Sequence, residues 1–216
     1  MDTRIQGAIF DMDGVISDTQ SLHARIESDL LRRYGIIMSP EEIIRRFAGT
    51  ADKEMFPAIF TEAGKRAPDV DAIVAQKYSL MMAPDVAVPE IPGTKAFIAS
   101  LQRLGIPLAV ASASSMEFIR FVVEKLELIS SFKALVSSDE VAHGKPAPDV
   151  FLLAAKRIDI EPQSCLVIED GVSGMIAAEK AGMKSIALLT HREAGDCPTS
   201  VSFIVRDLQD VPLSIF

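Results

Sequence analysis

The chain has 216 residues, 49% of them hydrophobic and 24% charged, with a formal net charge of −8. That length suits one core domain with room for a smaller inserted one, and the balance excludes a disordered chain. The acidity excludes a nucleic-acid-binding face, which needs clustered Lys and Arg, but leaves room for a small anionic substrate held by local charge.

In chain order, an apolar run from Ile5 to Phe10, interrupted by Gln6, predicts a buried strand that stops at Asp11, Asp13 and Gly14. In extended chain, side chains two apart point the same way, so Asp11 and Asp13 would face one cavity, and two carboxylates there repel unless a cation or proton intervenes. Such a pair can supply a nucleophile, Asp11, and an acid/base, Asp13. The same residues also suit a plain strand-to-turn junction, with the glycine taking the φ > 0 position.

Helical spacing of Leu22, Ile26, Leu30 and Leu31 predicts a helix over 21–34, stopped by Gly35. Ser39, Pro40 and Glu42 form a capping-box start for a second helix to about Phe47. Asp52 can cap a third, running past Pro57 to Gly64, and Asp71 can start a fourth ending near Met82. Pro84, Pro89 and Pro92-Gly93 then mark a linker.

Beyond Thr94 the pattern alternates: helix to Leu104, strand 107–111, helix 116–126, strand 134–136, helix 149–157, strand 165–168, helix 173–181, strand 185–189 and a short strand 203–205. This predicts an α/β fold, a Rossmann-like parallel sheet with helices on both faces, plus a small all-helical unit. The expected boundaries are 1–16 with 88–216 for the sheet domain and 17–87 for the helical one. Cys165 and Cys197 form no C-x-x-C pattern, so neither a disulfide framework nor a zinc site is expected. With no leader-like start and no long apolar stretch, the chain is expected to be cytoplasmic, without a membrane partner.

Ligands of such sheets bind beyond the carboxyl ends of the strands. There the residues form a coherent set: Asp11 and Asp13 after the first strand, Ser112, Ser114 and Ser115 after the second, Ser137 to Asp139 leading to Gly144-Lys145-Pro146 after the third, and Glu169-Asp170-Gly171 after the fourth. That is an inventory for phosphoryl transfer through a carboxylate, with an oxygen-ligated Mg²⁺ and donors for the phosphate oxygens. Singly, each partner has a plainer role: Ser112 or Ser114 as a helix cap, Lys145 on the surface, and Gly171 and Gly174 serving a tight turn and close packing.

These four motifs, in order and over nearly the whole chain, resemble those of the haloacid dehalogenase superfamily. Within it, the helices after the first motif resemble the cap of the β-phosphoglucomutase-like and sugar-phosphate phosphatase subgroup. The resemblance implies that Asp11 forms an aspartyl-phosphate, that Asp13 serves as acid and then base, and that Ser112, Ala113 and Lys145 bind phosphate. It further implies Mg²⁺ on an Asp11 oxygen, the Asp13 carbonyl and Asp170, with Glu169 as a direct or water-mediated helper. In the cap it points to His23, Gly49, Thr50 and Lys77 for substrate contacts.

Where the mutase carries an arginine for a second phosphate, this chain has Asp52, with Arg45, Arg46 and Lys53 as nearby substitutes. The expectation is therefore a monomeric Mg²⁺-dependent phosphatase of a small sugar or polyol phosphate, or else a weak dimer. A mutase is the alternative, and a noncatalytic phosphometabolite-binding protein a further one. A dehalogenase proper has no use for Asp13.

Overall fold

The computed structural model describes residues 4–47, 52–190 and 193–216. Strand β1 (Gly7–Phe10) comes first, followed by four helices, α1 (Thr19–Arg33), α2 (Pro40–Phe47), α3 (Asp52–Glu62) and α4 (Val70–Met81). The alternating part then runs α5 (Thr94–Arg103), β2 (Leu108–Ser112), α6 (Met116–Lys125), β3 (Ala134–Ser137), α7 (Asp149–Ile158), β4 (Cys165–Glu169), α8 (Val172–Lys180), β5 (Lys184–Leu188) and β6 (Phe203–Val205). The expected elements all form, with ends shifted by a residue or two. Ser39 caps α2 as expected, its Oγ accepting from Glu42 N at 3.2 Å. The cap of α4 is Asp69 rather than Asp71, because its carboxylate reaches the amides of Asp71 and Ala72.

The chain divides into two compact units, Met1–Asp18 with Pro89–Phe216, and Thr19–Val88. The first unit holds a six-stranded sheet in the order β3-β2-β1-β4-β5-β6, with every pairing parallel. β1, β2 and β4 are buried along their whole lengths, as strands covered on both faces must be, which is why they read as continuous apolar runs. Alternation sorts their side chains. Ile9, Ala111 and Val167 join a core with Phe151 and Ala154 of α7 and Ala178 of α8, while Phe10 packs edge-on against Phe97 of α5 and Phe132, with ring centroids at 6.1 and 5.9 Å. Each fully buried side chain of this size contributes on the order of 2 kcal/mol.

Strand order determines where a ligand can sit. From β1 the chain builds outward through β2 and β3, then returns to the other side of β1 as β4. The β1/β4 junction is thus the topological switch point, and the crevice beyond its carboxyl ends is the expected ligand position.

The second unit packs Leu30, Leu31, Phe56, Ile59, Phe60 and Ile73 into its own core. Among the described residues no helix is long and apolar enough to cross a membrane.

Candidate active site

Asp11 continues β1 by one residue, its amide donating to Ile168 O at 2.9 Å. It therefore shares the face of Ile9, and on that face the loop between β3 and α7 delivers Lys145. The Lys145 Nζ lies 2.7 Å from Asp11 Oδ1 and 2.7 Å from Glu169 Oε1, with the Phe151 ring 4.9 Å away. Glu169 closes β4 and accepts from Gly171 N at 2.7 Å. It fits only because residue 174 is glycine, since a Cβ there would lie 1.7 Å from Glu169 Oε1. Gly14 does the same for Asp170: its φ is +82°, and a Cβ would lie 2.2 Å from Asp170 Oδ2. Thr190 pins that turn, its hydroxyl donating to Gly14 O at 2.7 Å.

Asp11, Glu169 and Asp170 are all buried, and one oxygen from each lies within 4.8 Å of the others. Burial raises the Asp11 carboxyl well above the usual carboxylate range. Lys145 opposes this, while Glu169, Asp13 and Asp170 reinforce it. Burial also works against the Lys145 ammonium, yet the Asp11 and Glu169 carboxylates outweigh it and raise the lysine above its ordinary value. One lysine thus faces four carboxylates, counting Asp13. A buried, oxygen-only cluster with such a deficit of positive charge fits a hard divalent cation.

Asp13 turns toward the end of β2 instead. Its Oδ2 accepts from Ser112 Oγ at 3.2 Å and from Ser114 Oγ at 2.9 Å. The loop bearing these serines is tied at several points: Ser114 N donates to Ser112 Oγ at 3.0 Å, Ser137 Oγ to Ser114 O at 2.7 Å, and Ser138 Oγ to Ser112 O at 3.2 Å. Ala113 is exposed between them. Capping of α6 falls to Ser115, whose Oγ accepts from Phe118 N, so Ser112 and Ser114 are both spared that role. The sequence reading passed over Ser114 as a partner of Asp13, and over the Ser137 and Ser138 hydroxyls as ties. Their only signal was a run of serines after adjacent parallel strands.

In the helical unit, Lys77 requires a correction. Expected as a substrate contact, it is 1% exposed, and its ammonium is held by Glu27 Oε1 at 2.6 Å and Asp52 Oδ1 at 2.5 Å. A cation buried between two carboxylates of its own unit is a structural tie, not an offered anion site. Two of the expected arginine substitutes are also engaged: Arg46 pairs with Glu42 and Glu62, and Lys53 with Asp71. His23 is half-buried on α1, edge-on to Tyr78 with ring centroids 6.1 Å apart. Burial, then the Lys77 charge, lower its pKa well below the imidazole norm. Gly49 and Thr50 lie outside the described residues. Both cysteines are free, and burial pushes the Cys165 thiol up to about 12, which makes it unreactive.

The family described as haloacid dehalogenase-like hydrolase matches residues 8–188. Hexitol phosphatase B of Escherichia coli K12 is 28% identical over 210 residues, covering 95% of this chain and 91% of that protein. Fructose-1-phosphate phosphatase of the same organism is 32% identical over 187 residues, covering 85% and 96%. The crystal structure of a HAD hydrolase of family IA, variant 3, from Entamoeba histolytica superposes with a TM-score of 0.84 at 22% identity, covering 98% and 97%.

Proposed function

The chain belongs to the haloacid dehalogenase-like hydrolase family, and from that premise we propose that it is a Mg²⁺-dependent phosphatase of a small sugar or polyol phosphate, working through an aspartyl-phosphate at Asp11. The observation that carries the reading is the different setting of the two carboxylates. Asp11 is buried against Lys145, whereas Asp13 is held by hydroxyls of the neighbouring strand end. One is placed to attack and the other to move protons.

In this reading an Asp11 oxygen attacks phosphorus as the bond to the leaving oxygen breaks, and Asp13 donates the proton that the leaving oxygen needs. Asp13 then takes a proton from water as that water attacks the aspartyl-phosphate, which releases phosphate, frees the Asp11 carboxylate and returns Asp13 to the protonated form in which it began. Ser112, Ala113 and Lys145 bind the phosphoryl oxygens. Mg²⁺ would be held by Asp11, Asp170 and the Asp13 carbonyl, with Glu169 bound directly or through water, and when bound it supplies positive charge against which two anions can approach.

The relatives named for hexitol and fructose phosphates support the substrate class. Engagement of Lys77, Arg46 and Lys53 within the helical unit weighs against a mutase, which must grip a second phosphate. The test is a panel of hexitol and ketose phosphates incubated with the protein and Mg²⁺, scored for phosphate release beside Asp11→Asn and Asp13→Asn. Release from a few members, abolished in Asp11→Asn, is expected. Isomerisation of a sugar 1-phosphate primed with a bisphosphate, without release, would replace the reading by a mutase.

A further inference from the structure

We infer that Ser114 is a positioning residue for Asp13, and that the arriving phosphoryl group takes over only the other hydroxyl on that carboxylate, the one from Ser112. The inference rests on the acid/base reading of Asp13. Ser112 and Ser114 each have one hydroxyl proton, and both donate theirs to the same oxygen, Asp13 Oδ2. The Ser112 oxygen already accepts from Ser114 N. A substrate oxygen that draws a hydrogen bond from Ser112 must therefore take it from Asp13.

Ser114 is placed differently. Its amide is committed to Ser112 Oγ and its carbonyl to Ser137 Oγ, while Ser115 caps α6 in its stead. Its backbone is thereby fixed whether or not substrate is present. Among the described residues its hydroxyl donates to Asp13, at 2.9 Å, the shorter of the two contacts. When Ser112 turns to the substrate, Ser114 remains and keeps the carboxylate aimed. Orientation of this kind lowers the barrier to proton transfer without adding to substrate binding.

The role can be separated from mere structure by the leaving group. A nitrophenolate departs without a proton, whereas the alkoxide of a sugar needs one. Values of kcat/KM report the steps up to phosphoryl transfer to Asp11, so fructose 1-phosphate and p-nitrophenyl phosphate form the test pair. Ser114→Ala is expected to lower kcat/KM about tenfold on fructose 1-phosphate, the equivalent of one charge-assisted hydrogen bond. On p-nitrophenyl phosphate the change should stay under about twofold, and Ser114→Thr, which keeps the hydroxyl, should restore the loss.

Asp13→Asn, measured alongside, should show the same ester preference at about a hundredfold or more. Equal losses on both esters in Ser114→Ala, or a loss carried entirely by KM, would overturn the positioning role. Asp13→Asn sparing fructose 1-phosphate would instead overturn the acid/base reading beneath it.

Discussion

Replacing Gly174 with alanine tests whether Glu169 is locked in place. In the interior of an ordinary helix that change stabilises by about 1 kcal/mol. In α8 the added Cβ would lie 1.7 Å from Glu169 Oε1, 2.0 Å from its Cδ and 2.7 Å from its Cγ. Because Cγ is also too close, rotating the carboxylate does not relieve the contact, and the whole side chain must move. At 2% exposure it has no solvent route that preserves its partners, so the 2.7 Å bonds to Lys145 and Gly171 N are lost. Hydrogen bonds to charged groups contribute about 1.5–3 kcal/mol each, so losing two costs roughly 3–6 kcal/mol. Against the helix gain, a net destabilisation of about 2–5 kcal/mol remains. Urea unfolding of the parent and Gly174→Ala measures it directly. The same change made in a Glu169→Ala background should become neutral or stabilising by about 1 kcal/mol. A Gly174→Ala chain as stable as its parent would refute the argument.

Two further outcomes follow from the charge arrangement. Chelation with EDTA should lower the melting temperature and Mg²⁺ should restore it, since an ion at a hundred times its Kd stabilises by about 2.7 kcal/mol; an unchanged melt in both conditions would count against the cation site. Arg157 holds the Glu140 carboxyl below its usual value through a hydrogen bond, against a small burial penalty. Because the folded pKa is depressed, the contribution is present above the unfolded value near about 4.3 and fades as pH falls through the folded one. The pair is about one-third exposed, so the stability gap between parent and Glu140→Gln should be under about 1 kcal/mol at neutral pH and close in acid.

The sheet was legible because its central strands are buried on both faces and so carry unbroken apolar runs, as in Leu166-Val167-Ile168. Its acidic rim was legible because the residue after each strand faces the same edge. The close packing read into Gly171 and Gly174 is present as well, with the Glu169 side chain filling the space a Cβ at 174 would take. Lys77 was misread for a physical reason. Its carboxylate partners stand 50 and 25 residues earlier, on two other helices, and no periodicity within α4 marks a lysine as buried. Ser114 was missed because a serine after a strand looks the same in sequence whether it caps a helix or serves a carboxylate. Only the position of Ser115 at the α6 terminus decides between them.

The two buried lysines show how charge balance separates structure from chemistry. Each is clasped by two carboxylates at 2.7 Å or less. Around Lys77 the excess is a single negative charge. Burial raises the Glu27 carboxyl despite the pull of Lys77. Around Lys145 the excess is larger, because Asp170 and Asp13 add to Asp11 and Glu169. There burial and the neighbouring carboxylates raise Asp11 well above the usual carboxylate range, and in the proposed mechanism only its ionised form can attack. A divalent cation would balance that excess and leave Asp11 ionised. The same lysine-and-carboxylate arrangement is therefore a static tie in the helical unit and the proposed reactive site in the sheet unit. The difference lies in two added carboxylates and the glycines at 14 and 174, which make room for Asp170 and Glu169.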